Sequence, residues 1–159
     1  MEAWQNFFLA QVGASAALAG LIFVSVSLSL NQIIGSKTLP ALAFRALVLL
    51  LQILIISSLM LVPQDMRWVG FEVLGIGTLV WLTILYFDIR TLFAAGKEYF
   101  LRAASRMVMS EFAGLLYVVA GYHTVMTGGQ GIYWLVPAVF CAYAVAMLDA
   151  WVLLIEVHR

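Results

Sequence analysis

Apolar residues fall in five long runs, and the breaks between them are short and polar. A membrane-spanning helix needs about 20 consecutive apolar residues. The runs at residues 7–34, 41–62, 69–93, 107–127 and 132–157 all meet that length. None shows the strict alternation of barrel strands, and backbone groups in lipid must pair within their own segment, so each run predicts a helix. The breaks carry the expected punctuation. Pro40 opens the second run, Pro63 follows the end of it, and Gly128-Gly129-Gln130-Gly131 divides the fourth from the fifth. Pro137 lies in the first turns of the fifth, where it begins or bends the helix. The segment 94–106 is the one connection with room for structure, and Glu98 four residues before Arg102 favours a helical extension there. The expectation is an all-α integral membrane bundle of five transmembrane helices, forming one domain over residues 1–159.

Composition sharpens this picture. Hydrophobic residues make up 65% of the chain and charged residues 10%, whereas a soluble domain has about half and a quarter. The mean hydropathy is +1.06. The net charge of zero gives no reason to expect nucleic acid as a partner. The first residues, MEAWQNFF, lack the basic region of a secretory leader, so the first run is expected to be retained as a span. One cysteine, Cys141, allows no intrachain disulfide.

Basic residues set an orientation, because cytoplasmic loops collect Lys and Arg. With the N-terminus outside and the C-terminus cytoplasmic, Lys37, Arg45, Arg90, Lys97, Arg102, Arg106 and Arg159 fall on the inner side and Arg67 alone on the outer. Trp4, Trp68, Tyr133 and Trp134 then form an outer aromatic belt.

The polar residues within the runs carry the candidate chemistry, since charge in hydrocarbon is costly and faces protein or water. Arg45, Asp88, Glu111 and Asp149 each lie one to two turns from the cytoplasmic end of a different run. At about 1.5 Å per residue they share a layer roughly 6–12 Å inside the apolar zone. No carboxylate has a basic residue three or four positions away on its own helix, so a partner must come from another helix, with Arg45 the natural counter-charge. One arginine against three carboxylates leaves the layer short of positive charge. Asp149, Glu111 and Asp88 are therefore candidate ion-binding or pore-lining groups, with Asp149 the deepest. Asp149 lies on a stripe with Ala138, Ala142 and Ala146, and Glu111 shares a face with Gly114, Val118 and Gly121. Asp88 aligns with Gly77 and Gly70. Gln52, aligned with Arg45 and near mid-bilayer, suits an interhelical hydrogen bond, and Ser27 and Asn31 give a polar end to the small-residue stripe Gly13, Ala17, Gly20, Val24. A weaker outer set is Glu72 and His123 with Thr124 and Thr127. The bland account of all these groups is helix packing.

The stretch VGASAALAGLIFVSVSLSLNQI followed by LPALAFRALVLLLQILIISSLMLVPQ, roughly the first 65 residues, resembles a group of small uncharacterised bacterial membrane proteins. That resemblance implies a bacterial inner membrane and no activity. Neither a metal-ligand set, a cofactor motif nor a nucleophile with its base is present in the pattern, so no enzyme, cofactor or metal is expected. Two readings stay open. In one, an oligomer uses the carboxylate layer as a cation or proton path. In the other, the chain is a non-transporting accessory or regulatory subunit whose charges lock helices. The expected partners are the lipid bilayer, further copies of the chain and other membrane proteins.

Overall fold

The computed structural model describes residues 2–36, 39–94 and 100–157. Among these residues six helices follow in order: α1 (Glu2–Leu28), α2 (Leu30–Gly35), α3 (Leu39–Leu59), α4 (Met66–Ala94), α5 (Phe100–Thr127) and α6 (Ile132–Val157). No strand occurs among the described residues.

The five expected runs map onto five long helices, with boundary shifts that have local causes. The first run is interrupted at Ser29, whose backbone leaves helical geometry (φ −113°, ψ 20°), so the short α2 continues it separately. The preceding segment alternates serine with apolar residues, and the Ser27 hydroxyl donates to the Phe23 carbonyl at 2.8 Å, the kind of back-bond that perturbs a helix. Helix α3 closes by tight turns, with the Leu61 and Val62 amides donating to the Ser58 and Leu59 carbonyls before Pro63. Helix α4 starts three residues before the expected position. Asp65 caps it: its carboxylate accepts from the Arg67 amide at 2.8 Å, and its carbonyl accepts from the Trp68 and Val69 amides. Helix α5 already begins at Phe100, while Glu98 and the Arg102 side chain lie outside the described set. Lys37, Lys97, His158 and Arg159 also lie outside it. Pro137 neither starts nor ends α6, which continues through it.

Among the described residues, four helices are long and apolar enough to cross a membrane: Trp4–Leu28, Leu39–Leu59, Met66–Arg90 and Ile132–Ile155. Helix α5 is not in that set. It is long enough, but Ser110, Glu111, His123 and Thr124 interrupt its apolar content. Large apolar side chains are widely exposed, among them Leu28, Phe93, Leu21 and Leu79. Water would penalise such a surface and lipid would not.

The chain divides into two units, Met1–Val62 with Ala146–Arg159, and Pro63–Val145. In the first, α1 packs along α3, and α2 also touches α3. The inward side of α1 carries Phe8, Ser15 and Ile22, seven residues apart. Ile33, Leu39, Ala43 and Leu153 form a buried cluster joining α2, α3 and the end of α6, with Val26 and Leu42 against it. Helix α3 is the most enclosed span, half of it buried, against 17% for α1.

In the second unit α4 and α5 run antiparallel in close contact. Gly70 faces Val125, Leu74 faces Gly121, Gly77 faces Tyr117 and Trp81 faces Gly114. Positions 70, 74, 77, 81 and 88 on α4, and 110, 114, 117 and 121 on α5, recur at the heptad spacing of an antiparallel coiled coil. Glycine sets the distance. A methyl group on Gly121 would lie 2.5 Å from the Leu74 amide nitrogen and 2.6 Å from its Cα. The turn into α6 uses Gly128 (φ +68°) and Gly129 (φ +138°), where a side chain would be strained. Gly131 then lies against the Thr124 and Ala120 backbone, with no space for a Cβ.

Candidate functional site

The most polar interior feature is the pair formed by Arg45 of α3 and Asp149 of α6, both within the first unit. The arginine Nε donates to Asp149 Oδ2 at 2.7 Å and Nη2 donates to Oδ1 at 2.6 Å. Arg45 is 7% exposed and Asp149 1%. This is the two-pronged guanidinium–carboxylate geometry, in which planar fork meets planar fork and both carboxylate oxygens are used. The expected link from Arg45 to one of the three carboxylates therefore goes to Asp149. Asp149 thus has a counter-charge on both of its oxygens. Ala142 and Ala146 on the same α6 stripe are fully buried, as is Ala138.

Gln52 sits seven residues beyond Arg45 and is 1% exposed. Among the described residues the expected interhelical hydrogen bond is not made, because neither its Nε2 nor its Oε1 has a partner there. Ser57, also on α3 and fully buried, likewise leaves its hydroxyl without a partner. The neighbouring Ser58 instead returns its hydroxyl to the Leu54 carbonyl at 2.7 Å.

In the second unit Asp88 of α4, 8% exposed, accepts a hydrogen bond from the Ser110 hydroxyl of α5. Ser110 is the residue that sequence reasoning missed, since the α5 face was read one position off, through Glu111. The seam in fact follows 110, 114, 117 and 121, which places Glu111 beside it and half-buried. A count of heptad spacing from Gly114 and Gly121 back along α5 would have reached Ser110. Arg90 is exposed, with its guanidinium 5.6 Å over the Tyr86 ring.

Glu72 accepts from Gln64 Nε2 at 2.7 Å, and His123 is half-buried with no partner for its Nδ1. The α1 stripe turns away from α3: Ala17, Val24, Ser27 and Asn31 are exposed, and a Cβ on Gly13 or Gly20 would meet nothing within 4 Å. Trp68, Tyr133 and Trp134 are exposed, as interfacial aromatic residues would be.

Comparison with known proteins leaves these contacts to speak for themselves: no protein-family model, curated protein or solved structure matches the chain.

Proposed function

We propose that the chain is a non-catalytic, non-transporting accessory or regulatory subunit of a membrane, in which the buried charges lock helix packing. The observation that carries this reading is the two-pronged Arg45–Asp149 pair. A carboxylate that loads and releases a cation needs an oxygen lobe free of competing positive charge. Asp149 gives both oxygens to one arginine and is enclosed with it. Such a pair is costly to bury and costlier to break, which suits a fastener between α3 and α6 better than an ion path.

The proposal includes five spans, with the N-terminus outside and the C-terminus cytoplasmic. Support for α5 as a span comes from its pairing with α4: a helix matched antiparallel along a crossing helix, from Gly70–Val125 to Asp88–Ser110, lies at the same depth. The bacterial inner membrane is the location implied by the resemblance of the first 65 residues. The outward small-residue stripe of α1 suits close approach by another copy or another membrane protein.

The competing reading is an oligomeric cation or proton path lined by Asp149, Glu111 and Asp88. It is favoured by one observation, the polar and unpartnered Gln52 inside α3. Reconstitution separates the two. Liposomes carrying the purified chain should hold a proton gradient and a potassium gradient as well as empty liposomes across a range of pH and voltage. Gradient collapse in the wild type, slowed by a double replacement of Arg45 and Asp149 that still folds, would overturn the packing reading.

A further inference from the structure

We infer that α2 is a hinged plug that keeps water off the Arg45–Asp149 pair. This role holds whether the pair locks packing or lines an ion path.

The short helix is held by one anchor. Ile33 is its buried side chain among the described residues, while Leu30, Asn31, Gln32 and Ile34 are exposed. Ile33 enters the cluster made with Leu39 and Ala43 of α3 and Leu153 of α6, with Val26 and Leu42 against it. The helices that build this cluster fix its depth. Leu153 follows Asp149 by four residues, one turn further toward the end of α6. Leu39 opens α3 and Ala43 follows it, so both precede Arg45. At the usual rise per residue the charged pair lies roughly 9–12 Å in from the start of α3 at Leu39 and the end of α6 at Val157. The cluster therefore stands between the pair and those helix ends.

Its chemistry suits a seal. Aliphatic side chains offer water no hydrogen bond, and a dry setting strengthens the attraction between guanidinium and carboxylate. Three of the four buried members belong to the long helices that the pair itself ties together. Ile33 belongs to neither. Its helix is joined to α1 through Ser29, where the backbone leaves helical geometry (φ −113°, ψ 20°) and no side chain caps the turn among the described residues. The Ser29 amide is shared between the Ser25 and Val26 carbonyls at 3.2 and 3.3 Å. A six-residue segment with one anchor and a non-helical joint opens at less cost than the helices beneath it. Ile33 is thus the moving member of the seal, and Ser29 is its hinge.

Hydrogen exchange at the Arg45 Nε proton tests this, on the full chain in lipid nanodiscs labelled with nitrogen-15 arginine. Arg90 is exposed and serves as the reference. In the wild type, Arg45 should exchange far more slowly than Arg90. Ile33→Ala should speed Arg45 exchange by about tenfold or more, the change expected when most of the burial of one isoleucine is lost. Ile33→Val should act in the same direction by less, and supplies the answer if the alanine variant fails to fold. Ile34→Ala, on the exposed side of the same helix, should leave the rate unchanged. The backbone amides of Leu49, Leu50 and Ile53, buried on α3, report on the rest of the unit and should keep their wild-type rates in every variant. Wild-type Arg45 that exchanges as fast as Arg90 would overturn the inference. So would Ile33 variants that leave Arg45 unchanged, or that speed the α3 amides by the same factor, since the effect would then be general loosening and not a local plug.

Discussion

Helices α4 and α5 meet almost backbone to backbone, whereas α1 meets α3 through side chains. In the α4–α5 pair the glycines point inward, and Gly121 rests on the Leu74 backbone. In the α1–α3 pair the glycines point outward, and Phe8, Ser15 and Ile22 fill the contact. The polar fasteners differ in the same way. The glycine seam ends in a neutral hydroxyl donating to Asp88, while the side-chain-packed unit uses a charged fork, Arg45 on Asp149. Close backbone approach gains dispersion along the whole seam and leaves little work for a polar tie. A looser, side-chain-mediated contact gains less per turn. The ion pair supplies direction instead, because it fixes which part of α6 faces which part of α3.

The largest expected effect tests the charged fastener. Arg45→Met leaves a buried carboxylate without its counter-charge and should cost roughly 3–5 kcal/mol in unfolding titrations. Asp149→Asn should also destabilise, since it strands the guanidinium. Arg45→Met combined with Asp149→Leu should recover most of the loss, because two apolar groups of similar size remove the burial cost altogether. A double variant as unstable as the single ones would show that the pair is more than a packing device.

Ser110→Ala probes the neutral fastener. It removes a hydrogen bond to a buried carboxylate, for an expected loss of about 1.5–3 kcal/mol by the same titration. No change would mean that Asp88 is satisfied without Ser110 and that the α4–α5 pair needs no polar tie at all.

Glycine substitutions sharpen the contrast through their sign. Gly121→Ala puts a methyl group into the Leu74 backbone and should destabilise by about 1–3 kcal/mol, as overpacking does. Gly13→Ala meets open space in the same kind of helix and should stabilise the isolated chain by about 0.5–1 kcal/mol. Equal signs at the two positions would break the comparison. The smallest effect is also the one that reports on partners. If α1 packs against a second copy, Gly13→Leu with Gly20→Leu should leave the melting temperature of the single chain nearly unchanged while reducing crosslinked dimer in liposomes.

Much of this protein is legible along the chain. The apolar runs place all five long helices, because a segment of that length and composition has few other ways to satisfy its backbone. Gly128-Gly129-Gln130-Gly131 marks the turn into α6, since positive φ and close approach admit little else. The need of Arg45 for a carboxylate on another helix follows from the absence of any partner on its own. Asp65 as a helix cap and the break at Ser29 were also written locally, in a short acidic side chain before Met66 and in a serine-rich stretch, but long apolar runs masked them.

What remained was decided between helices. Periodicity assigns a residue to a face of its own helix and says nothing of what that face meets. Three carboxylates were equivalent partners for Arg45 until packing brought Asp149 within reach of both prongs. Two sets of glycines at similar spacing looked alike, yet Gly70, Gly77, Gly114 and Gly121 each face a bulky residue of the opposite helix in register, while Gly13 and Gly20 meet nothing among the described residues. Gln52 looked like an interhelical donor, and only its surroundings, with Leu49, Leu50 and Ile53 buried nearby, show that no group among the described residues answers it. The apolar pattern determined which segments became helices, since backbone hydrogen bonding is local. Tertiary structure decided which charges pair, which glycines touch and which amide stands alone, since those depend on groups that meet only when helices distant in sequence pack.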